Sequence, residues 1–157
     1  MAGEKVPDCY HILRDVTFSK LKVVLDSEGN EIVLGAAPAA FQLRELEDGI
    51  EDYLSATCCE YLEKGGGQKS IKAAAERLKS KRKLGKKARF FRVRVGDLKE
   101  ALKSRSISIR VIHEPDEKDV AHVAIRRWPV ENFDNLFEMI AEDIWNEMFT
   151  QEQISSL

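Results

Sequence analysis

Phe133, Leu136, Phe137, Ile140, Ile144 and Met148 recur at helical spacing between Asn132 and Phe149. An apolar stripe of that width has to be buried against another element. Candidate partners stand just ahead of it. In ARFFRVRV, residues 88–95, the period drops to two, with Phe91, Val93 and Val95 on one face and Phe90, Arg92 and Arg94 on the other. SISIRVIH (106–113) alternates again and sets Ile107, Ile109 and Val111 on one face. VAHVAI (120–125) is a further strand, and the acidic turn PDEKD before it lets the two pair as a hairpin.

The first half reads as strand and loop, then as helix. CYHILRDV is a short strand. LKVVLDSEGNEIVLG is a hairpin whose two β-branched runs flank the turn residues Asp26 to Asn30. Ala36 to Ala40, with Pro38, connects to a short strand through Phe41 and Leu43. Thr57 and Glu60 have the spacing of a capping box and predict a short helix through Tyr61 and Leu62, broken by Gly65, Gly66 and Gly67. A basic helix follows from about Gln68 to Lys83, with Ile71, Ala74, Ala75 and Leu78 as its apolar stripe, and Asp97 to Lys103 is a shorter one. At 157 residues the chain is most simply one domain. The expected architecture is α+β: a mostly antiparallel sheet packed against a long C-terminal helix and a basic central helix.

Composition narrows the function classes. With 43% apolar and 33% charged residues, the chain matches neither a disordered nor a membrane-embedded protein. No run approaches the ~18 apolar residues of a spanning helix, so no membrane partner is expected. MAGEKVPDCYHILRD lacks the apolar run of a secretory signal. Cys9, Cys58 and Cys59 are odd in number, and two of them are adjacent, so they do not make a disulfide framework. A reducing cytoplasm is the expected compartment. No Cys-x-x-Cys marks a zinc site, and no cofactor is implied.

The formal charge of −2 hides a segregation. Residues 1–63 carry 13 acids and 5 bases, residues 64–110 carry 17 bases and 3 acids, and from Glu131 onward there are seven acids and no base. Either the basic middle faces a polyanion or the middle and the ends attract each other in the fold. Lys81, Arg82, Lys83, Lys86, Lys87, Arg89, Arg92 and Arg94, with Phe90 among them, give a positive track and an aromatic platform of the kind that nucleic-acid binders use.

Three histidines supply the other candidate chemistry. His11, His113 and His122 all fall in strands or at strand edges, where a sheet can bring them together, and imidazole titrates near neutrality. With Arg14 to hold an anion they would make an acid/base site for phosphoryl-type chemistry. The plain alternative is turn and sheet-edge histidines making local hydrogen bonds. Ser55 with Glu60 reads either as nucleophile and carboxylate or, more simply, as helix-start chemistry. Cys58 and Cys59 read either as a nucleophile pair or, more simply, with at least one of them a buried small hydrophobe.

HILR near the start, AFQLR, EDYLSATCCEYL and HEPDEKDVAHVAI together resemble a family of small bacterial proteins. That family's pattern runs from an early His-x-x-Arg through an "AF-LR" strand to a late "H-P…D-SHA-I" segment. The positions that carry the likeness are His11, Arg14, Arg44, Tyr53, Ser55, Glu60, His113, Asp119 and His122. Cys58 and Cys59 depart from it, standing where the pattern has bulky apolar residues. The resemblance implies no activity. The function expected from the sequence is therefore a cytoplasmic binding or accessory module. Its basic middle would contact an acidic protein partner or a polyanion such as nucleic acid. A hydrolase or nucleotide-acting enzyme centred on the three histidines is the alternative.

Overall fold

The computed structural model describes residues 3–157 and shows an α+β fold in which most strands belong to one antiparallel sheet. One of its two central strands is β1 (His11–Val16), from the CYHILRDV segment. A separate hairpin follows, β2 (Leu21–Leu25) and β3 (Glu31–Ala36), and Asp26 Oδ1 closes its turn by accepting from the Glu28 and Asn30 amides. A two-residue ladder, β4 (Glu45–Leu46) and β5 (Gly49–Ile50), precedes β6 (Tyr53–Cys58). Helix α1 (Gly67–Lys81) leads to β7 (Arg89–Arg94), and α2 (Val95–Lys103) to β8 (Arg110–His113) and β9 (His122–Arg126). The chain closes with α3 (Leu136–Met139), a π-helical turn over Ile140–Ile144, β10 (Glu147–Thr150) and α4 (Gln151–Ser155). The sheet order is β10-β7-β1-β6-β9-β8.

Both faces of this sheet are covered, which explains why strand residues on both sides are apolar. On one face Leu13, Cys59 and Phe90 meet the α1 stripe of Ile71, Ala74, Ala75 and Leu78, together with Ile154 of α4. On the other, Ile12, Phe91, Val93, Val123 and Ile125 pack under Leu98 and Leu102 of α2 and under Leu136, Phe137, Ile140 and Trp145. The alternation expected for residues 88–95 is thus present, with Phe90 and Phe91 buried on opposite sides. Gly66 and Gly67 both sit at φ +66, a left-handed entry to α1 that a side chain disfavours.

Three local expectations are corrected. The C-terminal helix is shorter than its apolar period: Asp134 and Asn135 take left-handed φ values of 51 and 54, so the helix starts at Leu136 and leaves Phe133 exposed. At the other end Trp145 leaves helical geometry and its indole N–H donates to the Phe91 carbonyl, which pulls Glu147–Thr150 onto β7 as an edge strand. The short strand expected through Phe41 and Leu43 is absent: Pro38 opens a 3-10 turn (Pro38–Phe41), and residues 42–44 continue without regular structure. The expected capping box at Thr57 does not form. Residues 53–58 are strand, Thr57 Oγ1 donates to Asp119, and Glu60 turns back to the His11 amide.

The three cysteines are free; Cys9 is exposed and the other two are buried. Burial pushes the Cys58 thiol up to about 12 and raises Cys59 further, so neither supplies thiolate near neutrality. A native thiol titration is therefore expected to label Cys9 alone, with Cys58 and Cys59 reacting only after denaturant is added. Among the described residues no helix is long and apolar enough to cross a membrane.

Candidate anion-binding site

β1 and β6 pair only at Ile12 with Cys58 and at Leu13 with Thr57, although both strands continue beyond that point. There they part, and the Arg14 guanidinium enters the gap. Its two terminal nitrogens donate to the carbonyls of Ser55 and Ala40. The first of these takes the place of a missing ladder hydrogen bond, so Arg14 repairs the seam that it occupies. A guanidinium has five N–H groups, and these two bonds leave three without a stated acceptor. Nε in particular is buried with no partner among the described residues. Arg14 also forms no ion pair among them, and burial lowers its pKa to about 10, a shift that Asp15 only partly offsets. Near neutrality it remains a cation that is poorly compensated by its surroundings.

Arg14 lies against a cleft of about 270 Å3. Val16, Leu54, Ala56 and Leu78 contribute apolar wall, and Thr17, Gln42 and Ser55 contribute polar groups. Five cationic residues border it, Arg14, Lys20, Arg44, Lys81 and Arg82, against two acids, Asp15 and Glu51. The acids are already engaged at the rim: Arg82 meets Asp15 at 3.5 Å and Arg44 meets Glu51 at 3.0 Å. Lys81, at the end of α1, is held at 3.1 Å by fully buried Asp119. The two arginine side chains are largely exposed although their carboxylate partners are not, so their remaining N–H groups can turn to an entering anion without giving up those pairs.

Of the four residues expected to form the histidine site, the fold brings two together. Register puts His113 opposite Val123, whereas His122 stands opposite Thr57, so the two rings project from opposite faces. Each has a local carbonyl partner: His113 Nε2 lies 2.8 Å from Val120 O, and His122 Nδ1 lies 2.7 Å from Glu114 O. His113 also stacks on Tyr61 at 4.1 Å. His11 is two strands and two residues from His122, roughly 12 Å by strand spacing, and its Nδ1 is paired with Glu60 at 2.8 Å. His122 Nε2, by contrast, reaches Ser55 Oγ at 3.2 Å, and the Ser55 carbonyl accepts from Arg14. Arg14 and His122 thus meet through Ser55, a residue that sequence reasoning assigned to a helix start. Glu114 pairs in a fork with Arg126 (2.6 and 2.7 Å), which fixes the loop carbonyl that orients His122.

The basic track is dispersed by the fold. Lys81, Arg82, Lys87 and Arg92 pair with Asp119, Asp15, Glu31 and Glu147, all acids from outside the basic middle, and Arg94 pairs with Asp97. Arg89 donates to the Lys87 carbonyl, and Phe90 is buried rather than offered to a base. Lys83 and Lys86 are exposed and form no ion pair among the described residues. Charge segregation in the sequence has become attraction between the middle and the ends of the fold. Among the described residues no group of three His, Cys, Asp or Glu side chains is placed to hold a metal ion. Compared with protein-family models, curated proteins and solved structures, the chain matches none.

Proposed function

We propose that the protein is a binding module for a small anion carrying a phosphoryl group, taken up in the Arg14 cleft. One observation carries this reading. A buried guanidinium with N–H groups to spare, and with no carboxylate bound to it, lies against a cavity bordered by further cations. Leaving a buried cation without a counter-charge is costly, and a ligand oxyanion removes that cost on binding. Arginine forks suit phosphate geometry, and two more of them, Arg44 and Arg82, stand at the rim. The binding role expected from the sequence is kept, while its contact surface moves from an extended lysine track to a cleft that takes only Lys81 and Arg82 from that track. The cleft's small volume favours a single phosphoryl-bearing molecule over a duplex.

Calorimetric titration with inorganic pyrophosphate at low salt tests this. Saturable one-site binding is expected, and the Arg44→Gln/Arg82→Gln double variant should weaken it by roughly tenfold or more, in line with ~1.5–3 kcal/mol for a hydrogen bond to a charged group. Lys83→Gln and Lys86→Gln should leave it unchanged. No binding at low salt, or binding lost through Lys83 and Lys86 instead, contradicts the cleft reading and returns the exposed lysines to consideration as a polyanion surface.

A further inference from the structure

Resting on the anion-cleft reading, we infer that Ser55 and His122 are a nucleophile and general base that hydrolyse a phosphomonoester held in the cleft. Ser55 lies on β6 at the cavity wall and is half-buried, so a ligand in the cleft can touch it. His122, on the neighbouring strand β9, is 6% exposed, and its Nε2 stands 3.2 Å from Ser55 Oγ. Its tautomer is determined by its other nitrogen. The Glu114 carbonyl at 2.7 Å can only accept, so Nδ1 carries the proton and Nε2 presents a lone pair to the serine hydroxyl. Tyr53 edges the ring at 5.8 Å and Arg126 lies over Tyr53, so the imidazole is held on a second side. This is the arrangement of an activated nucleophile: a hydroxyl, a base within hydrogen-bond reach, and a third group that orients the base. Here a backbone carbonyl takes the place of a carboxylate.

Arg14 supplies the electrostatic part. By register it stands on the sheet face opposite the Ser55 hydroxyl, and its guanidinium reaches the Ser55 carbonyl through the gap between β1 and β6, so it borders the cleft in which transferring phosphoryl oxygens would carry charge. In the first step Ser55 Oγ bonds to phosphorus as the ester P–O bond breaks. The hydroxyl proton passes to His122 Nε2, and the alkoxide, departing from the opposite side of phosphorus, takes its proton from solvent and leaves as the alcohol. In the second step water attacks the phosphoserine. His122 Nε2 returns the proton it took in the first step to Ser55 Oγ as the P–Oγ bond breaks, the water's proton goes to solvent, and inorganic phosphate is released.

The test uses the full chain with p-nitrophenyl phosphate, followed by nitrophenol release and by intact mass after acid quench. Expected are turnover and one added phosphoryl group, mapped to Ser55. Ser55→Ala should lose both while still binding pyrophosphate, and His122→Ala should lose ~10²–10⁴-fold in rate, with part of it restored by added imidazole. A chain that binds pyrophosphate in the cleft but shows neither turnover nor adduct overturns this inference and leaves the binding reading standing. Turnover that survives Ser55→Ala overturns it as well. Absence of pyrophosphate binding removes both.

Discussion

Asp119→Ala is expected to lower the unfolding free energy by about 3–5 kcal/mol, the usual consequence of removing one partner from a buried ion pair. The Asp119 side chain has no exposure, and both its oxygens are committed. Oδ2 accepts from Thr57 Oγ1 at 2.6 Å and from Lys81 Nζ at 3.1 Å, and Oδ1 accepts from the Ala121 amide at 2.9 Å. One carboxylate thereby ties the connection between β8 and β9 to the end of α1 and to β6. Removing it strands an ammonium whose side chain is only 11% exposed. Lys81→Met added to Asp119→Ala should recover part of the loss, because the stranded charge is then gone. Urea denaturation of the two single variants and the double measures this directly. A loss below ~1 kcal/mol for Asp119→Ala would show that the pair is hydrated and slack.

Arg14→Lys is expected to weaken pyrophosphate binding by about 2–5 kcal/mol, the range for a buried, hydrogen-bonded charge pair. Lysine keeps the charge but cannot bridge two carbonyls and an anion together. Some stability should be lost too, since the Ser55 and Ala40 carbonyls must share one ammonium. Binding should also respond to alkali. Burial holds the Arg14 pKa down at about 10, so the free protein loses this proton around that pH, whereas a bound anion favours the charged form. Affinity is therefore expected to fall as pH rises past about 10. The same shift works in the opposite direction on folding: the unfolded chain holds the proton more tightly, so this group's penalty on stability is relieved as pH rises above about 10. Binding and stability then change with opposite sign in alkali.

Most of the elements were legible because their apolar periods are clean. The alternation of residues 88–95, the stripe of α1 and the hairpin around PDEKD all follow from local pattern; the first two are built as that pattern predicts, and the hairpin forms with a shorter first strand, Arg110–His113 in place of 106–113. The segment at Thr57 was ambiguous for a physical reason. Ser-Ala-Thr-x-x-Glu has capping-box spacing, but β1 and β9 offer pairing on both sides of β6, and that tertiary gain overrides a local helix signal. At the C-terminus, Met148 continued a helical spacing while its backbone paired with Phe91 across β7, a contact 57 residues back along the chain and invisible to any local window.

The site divides in the same way. Arg14 as an anion anchor and His122 as a candidate base were legible from residue type and position. Their meeting at Ser55 was not, because it depends on register: His122 opposes Thr57, so Ser55 becomes its diagonal neighbour on the same face. Nor does any residue pattern reveal that β1 and β6 separate after two paired residues and open a cleft. Lys81 and Arg82 belonged to a conspicuous basic run, yet their importance here comes from standing beside Arg14 rather than from the run itself.

The central claim is that the Arg14 guanidinium holds the anion, and the Arg14 side-chain Nε–H resonance reports on it most directly, since that group is buried and without an acceptor among the described residues. A nitrogen–proton correlation spectrum, with the resonance assigned by its loss in Arg14→Lys, should be followed through a pyrophosphate titration. The expected result is a large Nε–H shift that saturates at the same concentration as the calorimetric isotherm. Pyrophosphate binding that leaves the Arg14 resonance in place, or moves only lysine resonances, would contradict the account.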